Sequence, residues 1–155
     1  MKSKQQIIDG LNALLAYELA AMDQYFIHSE MYRDWGLDKL YARISHEFDD
    51  EKGHATKLIE RMLFLEGIPD MVNRDGLKIG QDVPSMLESD LRVEYAVAAK
   101  LKEVIALCEA EQDYVSRDML LVLLDDTEMD HAHWLEQQLG LITRLGLANY
   151  LQSQL

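Results

Sequence analysis

Six side chains able to hold metal stand where apolar side chains are expected. Glu18 and Glu94 each interrupt a run of core-spaced apolar residues, while Glu51 with His54 and Glu128 with His131 each form a Glu-x-x-His pair. Carboxylate oxygen and imidazole nitrogen together suit divalent first-row metals. Residues three apart on an α-helix project from one face, so each pair offers an oxygen and a nitrogen to one ion, and a lone Glu can bridge two ions. Glu51 follows Glu18 by 33 residues and Glu128 follows Glu94 by 34, so the pattern repeats in the two halves of the chain.

Four buried carboxylates without partners would cost several kcal/mol each, which together exceeds the ~5–15 kcal/mol of net stability a domain usually has. Two ferrous ions would cancel their four charges with both histidines neutral. A lone Glu-x-x-His is often a solvated helix face and says little by itself. One Glu from each of two helices plus a Glu-x-x-His from each of two others is specific, and it is the known arrangement of di-iron carboxylate bundles.

Four long helices must bring these residues together. Counting alternate steps of three and four gives Leu11, Leu15, Glu18, Met22 and Tyr25 on the first, and Leu40, Ile44, Glu47, Glu51, His54 and Leu58 on the second. The third carries Leu87, Leu91, Glu94, Ala98, Leu101, Ile105 and Cys108; the fourth carries Leu121, Leu124, Glu128, His131, Leu135 and Ile142. Ser3 with Gln6 reads as a capping box opening the first helix, which Gly36 ends. The second runs from about Asp38 to Gly67 and Pro69, where glycine can turn left-handed. The stretch GIPDMVNRDGLKIGQDVP reads as a long exposed crossover. The third helix then begins around Asp82 to Pro84 and runs to about Glu111, and the fourth spans about Asp113 to Leu145. LANYLQSQL, after Gly146, reads as a short fifth helix. The expectation is a single all-α domain over residues 1–155, a four-helix bundle of two hairpins joined by one long connection.

Composition agrees. The 155 residues are 48% hydrophobic, with only 2 prolines and 8 glycines. A net charge of −13 repels nucleic-acid phosphates and favours cations as partners, although acidic charge also serves solubility alone. There is no bilayer-length apolar run and no apolar block in MKSKQQIIDG, so no membrane association and a cytoplasmic location are expected. Cys108 is the single cysteine, read as core packing in a reducing compartment.

On NALLAYELAAMDQYFIHSEMYRDWGL, HEFDDEKGHA, YVSRDM, WLEQQLGLI and GLANYLQSQ, the chain resembles a bacterioferritin, of the ferritin-like superfamily, essentially end to end. The resemblance implies iron storage and detoxification in a hollow shell of twenty-four subunits, in which a ferroxidase centre oxidises ferrous iron with oxygen or hydrogen peroxide. It makes Glu18, Glu51, His54, Glu94, Glu128 and His131 the di-iron ligands. His46 and Asp50 match an additional iron site on the inner surface of some relatives, or form a solvated polar pair. Tyr25 matches a tyrosine implicated in electron delivery, or is a core aromatic. Asn149 and Gln152 match pore-lining residues, or lie on a solvated helix face.

Two departures stand out. Where bacterioferritins have a haem-ligating methionine directly after the second helix's ligand Glu, this chain has Lys52, a protonated donor without a soft sulfur. The chain thus resembles the subunit type that does not ligate haem, and haem b would enter only through a partner subunit. Met31 and Met62 read as core filler. The second departure is one extra residue between YVSRDM and the second Glu-x-x-His; it would rotate everything beyond it by ~100°, so a wide turn upstream of Glu128 is expected.

Three functions compete. The first is the ferroxidase of a homo-oligomeric shell, with a ferredoxin as the core reductant that the resemblance suggests. The second is a mainly structural subunit of a mixed shell whose haem-binding partner does most oxidation or core reduction. The third, a di-iron oxygenase acting on an organic substrate, is disfavoured because nothing marks an apolar pocket beside the metals.

Overall fold

The computed structural model describes residues 2–155, with side chains from Lys4 onward; the Ser3 cap therefore lies outside the described side chains. All regular elements are helical: α1 Lys2–Asp34, α2 Asp38–Phe64, α3 Val83–Ala110, α4 Tyr114–Asp125, a π-helical turn Asp126–Ala132, α5 His133–Leu145 and α6 Leu147–Ser153. Helices α1 and α2 form one hairpin, and α3 pairs with the column α4–π turn–α5 to form the second. Among the described residues no helix is long and apolar enough to cross a membrane.

The helix ends follow local chemistry. Gly36 turns left-handed at φ 76°, and Leu37 N–H donates to the Tyr32 carbonyl at 3.0 Å to close α1. At the end of α2 the left-handed residue is Glu66 at φ 62°, one position before the expected glycine. Gly67 is needed for a different reason: a Cβ there would lie 2.8 Å from Ile8 Cγ2. Asp82 and Ser85 form a reciprocal capping box that opens α3, and Asp113 accepts the Ser116 N–H at 3.1 Å to cap α4.

Side chains of α1 tie down the crossover. Asn12 exchanges hydrogen bonds with Ile68 and Asp70, Gln24 accepts from Lys78 N–H at 3.1 Å, and His28 accepts from Gly80 N–H at 3.1 Å. Buried Asp90 of α3 receives the Gln24 amide at 2.9 Å and lies 2.8 Å from His28 Nδ1. The path of this exposed connection is therefore set by polar contacts rather than by apolar burial.

The apolar core is split in two. One half gathers Leu11, Leu14, Leu15, Leu58, Met62, Leu101 and Cys108, and the other Tyr25, Tyr32, Leu40, Ile44, Leu87 and Leu135. Burial at this scale supplies the bundle's main driving force. Leu121, expected on the seam, is instead exposed, because the buried face of α4 consists of Ser116, Leu120 and Leu123. Between the core halves, level with residues 18, 51 and 94, the interior is polar.

Candidate metal centre

Glu18 on α1, Glu51 and His54 on α2, Glu94 on α3 and His131 in the π turn converge there, all buried. Glu18, Glu51 and His54 form one group whose ligand atoms fall within 4.8 Å of one another, and Glu51, Glu94 and His131 form a second. Glu51 belongs to both. The first four lie on regular helices with the spacing of the apolar stripe, so the same periodicity that packs leucines packs them.

The inner ring nitrogens face the acids. His54 Nδ1 is 3.4 Å from Glu18 and 3.5 Å from Glu51, and His131 Nδ1 is 2.8 Å from Glu51 and 3.4 Å from Glu94. None of these approaches has hydrogen-bond geometry: both Glu18 oxygens, both Glu51 oxygens, Glu94 Oε2 and both Nδ1 atoms are buried without a partner. Orphaned oxygens and nitrogens in two groups that share Glu51 fit a pair of divalent cations, which would offset such burial.

Without a cation the cluster holds protons instead. Burial, then the neighbouring charge of Glu51, pushes the Glu18 carboxyl well above its ordinary value, and burial also raises Glu94. For His54, burial opposes the charged ring, but the adjacent carboxylates of Glu18 and Glu51 outweigh it and push the imidazole up to about 11. His131 is raised in the same way, burial again opposing and Glu47, Glu51 and Glu94 prevailing.

The outer ring nitrogens meet further carboxylates. His131 Nε2 lies 2.7 Å from Glu47 Oε2 and 3.2 Å from Asp50 Oδ2, while His54 Nε2 lies 2.6 Å from Asp126 Oδ2. Arg43 reaches both Glu47 at 2.7 Å and Asp130 at 3.0 Å. His46 is exposed and lies 3.4 Å from Asp50, so the pair links the surface to His131. Tyr25 is buried and donates its hydroxyl to Glu94; burial and the nearby carboxylates keep the phenol protonated. Asn149 and Gln152 are exposed on α6, Met62 is core and Met31 packs at its edge.

Glu128 departs from the expected set. It is exposed and paired to Lys102 at 2.9 Å. A π turn advances by roughly 80° per residue against ~100° in an α-helix. Residues three apart therefore diverge by roughly 120° instead of ~60°, and Glu128 no longer shares a face with His131. The wide turn expected from the extra residue is present, but it runs from Asp126 through Glu128 to Ala132 instead of ending upstream. Sequence reading passed over Asp126 because an α-helical count turns it away from His131; the only hint was the acid-rich run DDTEMD.

Residues 8–145 match the family of ferritin-like domains. Among curated relatives, a protein named "Bacterial ferritin" from Synechocystis sp. is 61% identical over 155 residues, covering 100% of this chain and 99% of its own. One of the same name from Pseudomonas aeruginosa is 57% identical over the full length of both. A "Bacterioferritin" from Brucella melitensis is 40% identical, over 98% of this chain and 94% of its own.

Proposed function

We propose that this chain, which belongs to the ferritin family of iron-storage proteins, oxidises ferrous iron at the centre formed by Glu18, Glu51, His54, Glu94 and His131 and retains the ferric product inside a shell of twenty-four subunits. One observation carries the reading. Seven ligand atoms are buried without hydrogen-bond partners on three carboxylates and two imidazoles, and these residues form two groups that share Glu51.

Iron is the substrate. Two ferrous ions give up one electron each; dioxygen takes both with two protons and leaves as hydrogen peroxide, or peroxide takes both with two protons and leaves as two waters. The chain's part is to hold the two ions side by side so that the two-electron acceptor meets both donors at once. Glu51 is common to both sites. Tyr25 donates its hydroxyl to Glu94 and so fixes that carboxylate beside the centre. His46 and Asp50 provide a path for the cation between the surface and His131.

Rapid mixing of ferrous iron with the purified homopolymer tests the reading. A fast ferric absorbance phase that saturates at two irons per chain is expected. A second reading is the mainly structural subunit of a mixed shell, favoured by the exposed Lys52 at the position where bacterioferritins present methionine. Absence of the fast phase in the homopolymer, with recovery in a mixed shell, would support it.

A further inference from the structure

We propose that Asp126 is the positioning carboxylate of the centre: it holds His54 by the outer ring nitrogen and supplies the negative charge that Glu128, turned outward, does not. The proposal rests on the di-iron reading above.

The geometry comes from the π turn. Five residues at roughly 80° each bring Asp126 back to within roughly 40° of His131, where an α-helix would leave it ~140° away. Its Oδ2 accepts a hydrogen bond from His54 Nε2 at 2.6 Å and lies 3.8 Å from His131 Nε2. The two rings stack with centroids 5.7 Å apart and an interplanar angle of 17°. One carboxylate at the edge of the stack thus borders both imidazoles.

The hydrogen bond selects a tautomer. A neutral imidazole carries one N–H, and with that proton on Nε2 toward Asp126 the Nδ1 lone pair is free and points between Glu18 and Glu51. Outer carboxylates of this kind orient metal-binding histidines and raise their basicity.

Charge gives an independent argument. Glu18, Glu51 and Glu94 carry three negative charges against the four positive charges of two ferrous ions. Glu128, the fourth acid of the sequence pattern, is neutralised by Lys102 at the surface. The neighbouring acids Glu47 and Asp130 share Arg43. Among the described residues no lysine or arginine pairs with Asp126 or with Asp50, which lies 3.2 Å from His131 Nε2; of these two outer carboxylates only Asp126 borders both rings, so its charge is directed at the two histidines.

Cobalt(II), a ferrous stand-in with a visible d–d spectrum, tests this on the assembled full-length chain. Calorimetric titration should show two ions per chain in the wild type. Asp126→Ala should weaken binding ~10–100-fold and alter the d–d band. Asp126→Asn, which keeps an acceptor oxygen but loses the charge, should fall between, and Asp126→Glu should restore most of the affinity. Wild-type affinity and spectrum in Asp126→Ala would overturn the proposal while leaving the di-iron reading intact; if that variant fails to assemble, an unchanged Asp126→Asn does so instead. A wild-type protein that takes up no cobalt would remove the di-iron reading, and this proposal with it.

Discussion

His131 and Glu128 are three residues apart yet leave their helix on different faces: His131 is buried between Glu51 and Glu94, and Glu128 is exposed on Lys102. A Glu-x-x-His pair is a two-ligand unit only while the helix keeps an α-helical pitch, and the π turn over Asp126–Ala132 removes that condition.

A ranking follows. Glu94→Gln removes a fully buried carboxylate facing His131, and should cost divalent-cation affinity more than the ~10–100-fold typical of an outer-shell partner. Glu128→Gln removes only a surface ion pair worth about 0–1 kcal/mol, so its effect should stay below about fivefold. Calorimetric titration of the two variants checks the order; equal losses would mean that Glu128 belongs to the centre.

Most of the centre was legible because the sequence rule and the structure share one geometry. Glu18, Glu51, His54 and Glu94 sit on helices with regular pitch, so spacing in steps of three and four reports their face correctly. The same count failed for Leu121 and Glu128, which flank the place where the pitch changes. An extra residue could be recognised there, but several positions between Met119 and Glu128 could have absorbed it. Asp126 could not be found by any rule that assumes an α-helix through it. The crossover, too, gave no periodicity to read, since its path is fixed by Asn12, Gln24 and His28 on another element.

Deleting Asp125, which is exposed at the end of α4, should remove the excess residue and let the helix run straight from Tyr114 to Leu145. Glu128 would then return to within ~60° of His131 and leave Lys102. A crystal structure of the deletion variant is the check. Persistence of the wide turn would show that its cause lies in the local sequence DTEMDHA and not in the residue count.

Lys52 is exposed on α2 directly after Glu51. A protonated ammonium has no lone pair for haem iron, and two such groups facing each other across a symmetric interface would also repel. Homopolymer expressed alone should show no Soret band, whereas shells formed with a methionine-bearing partner subunit should acquire one. A Soret band in the homopolymer would mean that another side chain ligates haem.

The protons of the centre predict how stability depends on pH once metal is removed. His54 is raised from its ordinary 6.5 to about 11, so its contribution is fully present below pH 6.5 and is lost as pH climbs toward 11. Glu18 is raised as well, through burial and the charge of Glu51; an acid whose folded value is raised favours the folded state at low pH and loses that contribution as pH rises through the raised value. The two effects have the same sign. Metal-stripped protein should therefore melt at a lower temperature at pH 9 than at pH 6.5. A divalent cation at 100 times its Kd at pH 9 should add about 2.7 kcal/mol of stability, and because it displaces the protons of the centre it should reduce the pH dependence. Thermal unfolding followed by circular dichroism, with and without cobalt, measures both. A metal-stripped protein equally stable at the two pH values would show that the buried acids and histidines keep the same protons when the chain unfolds, and the electrostatic account of the centre would fail with it.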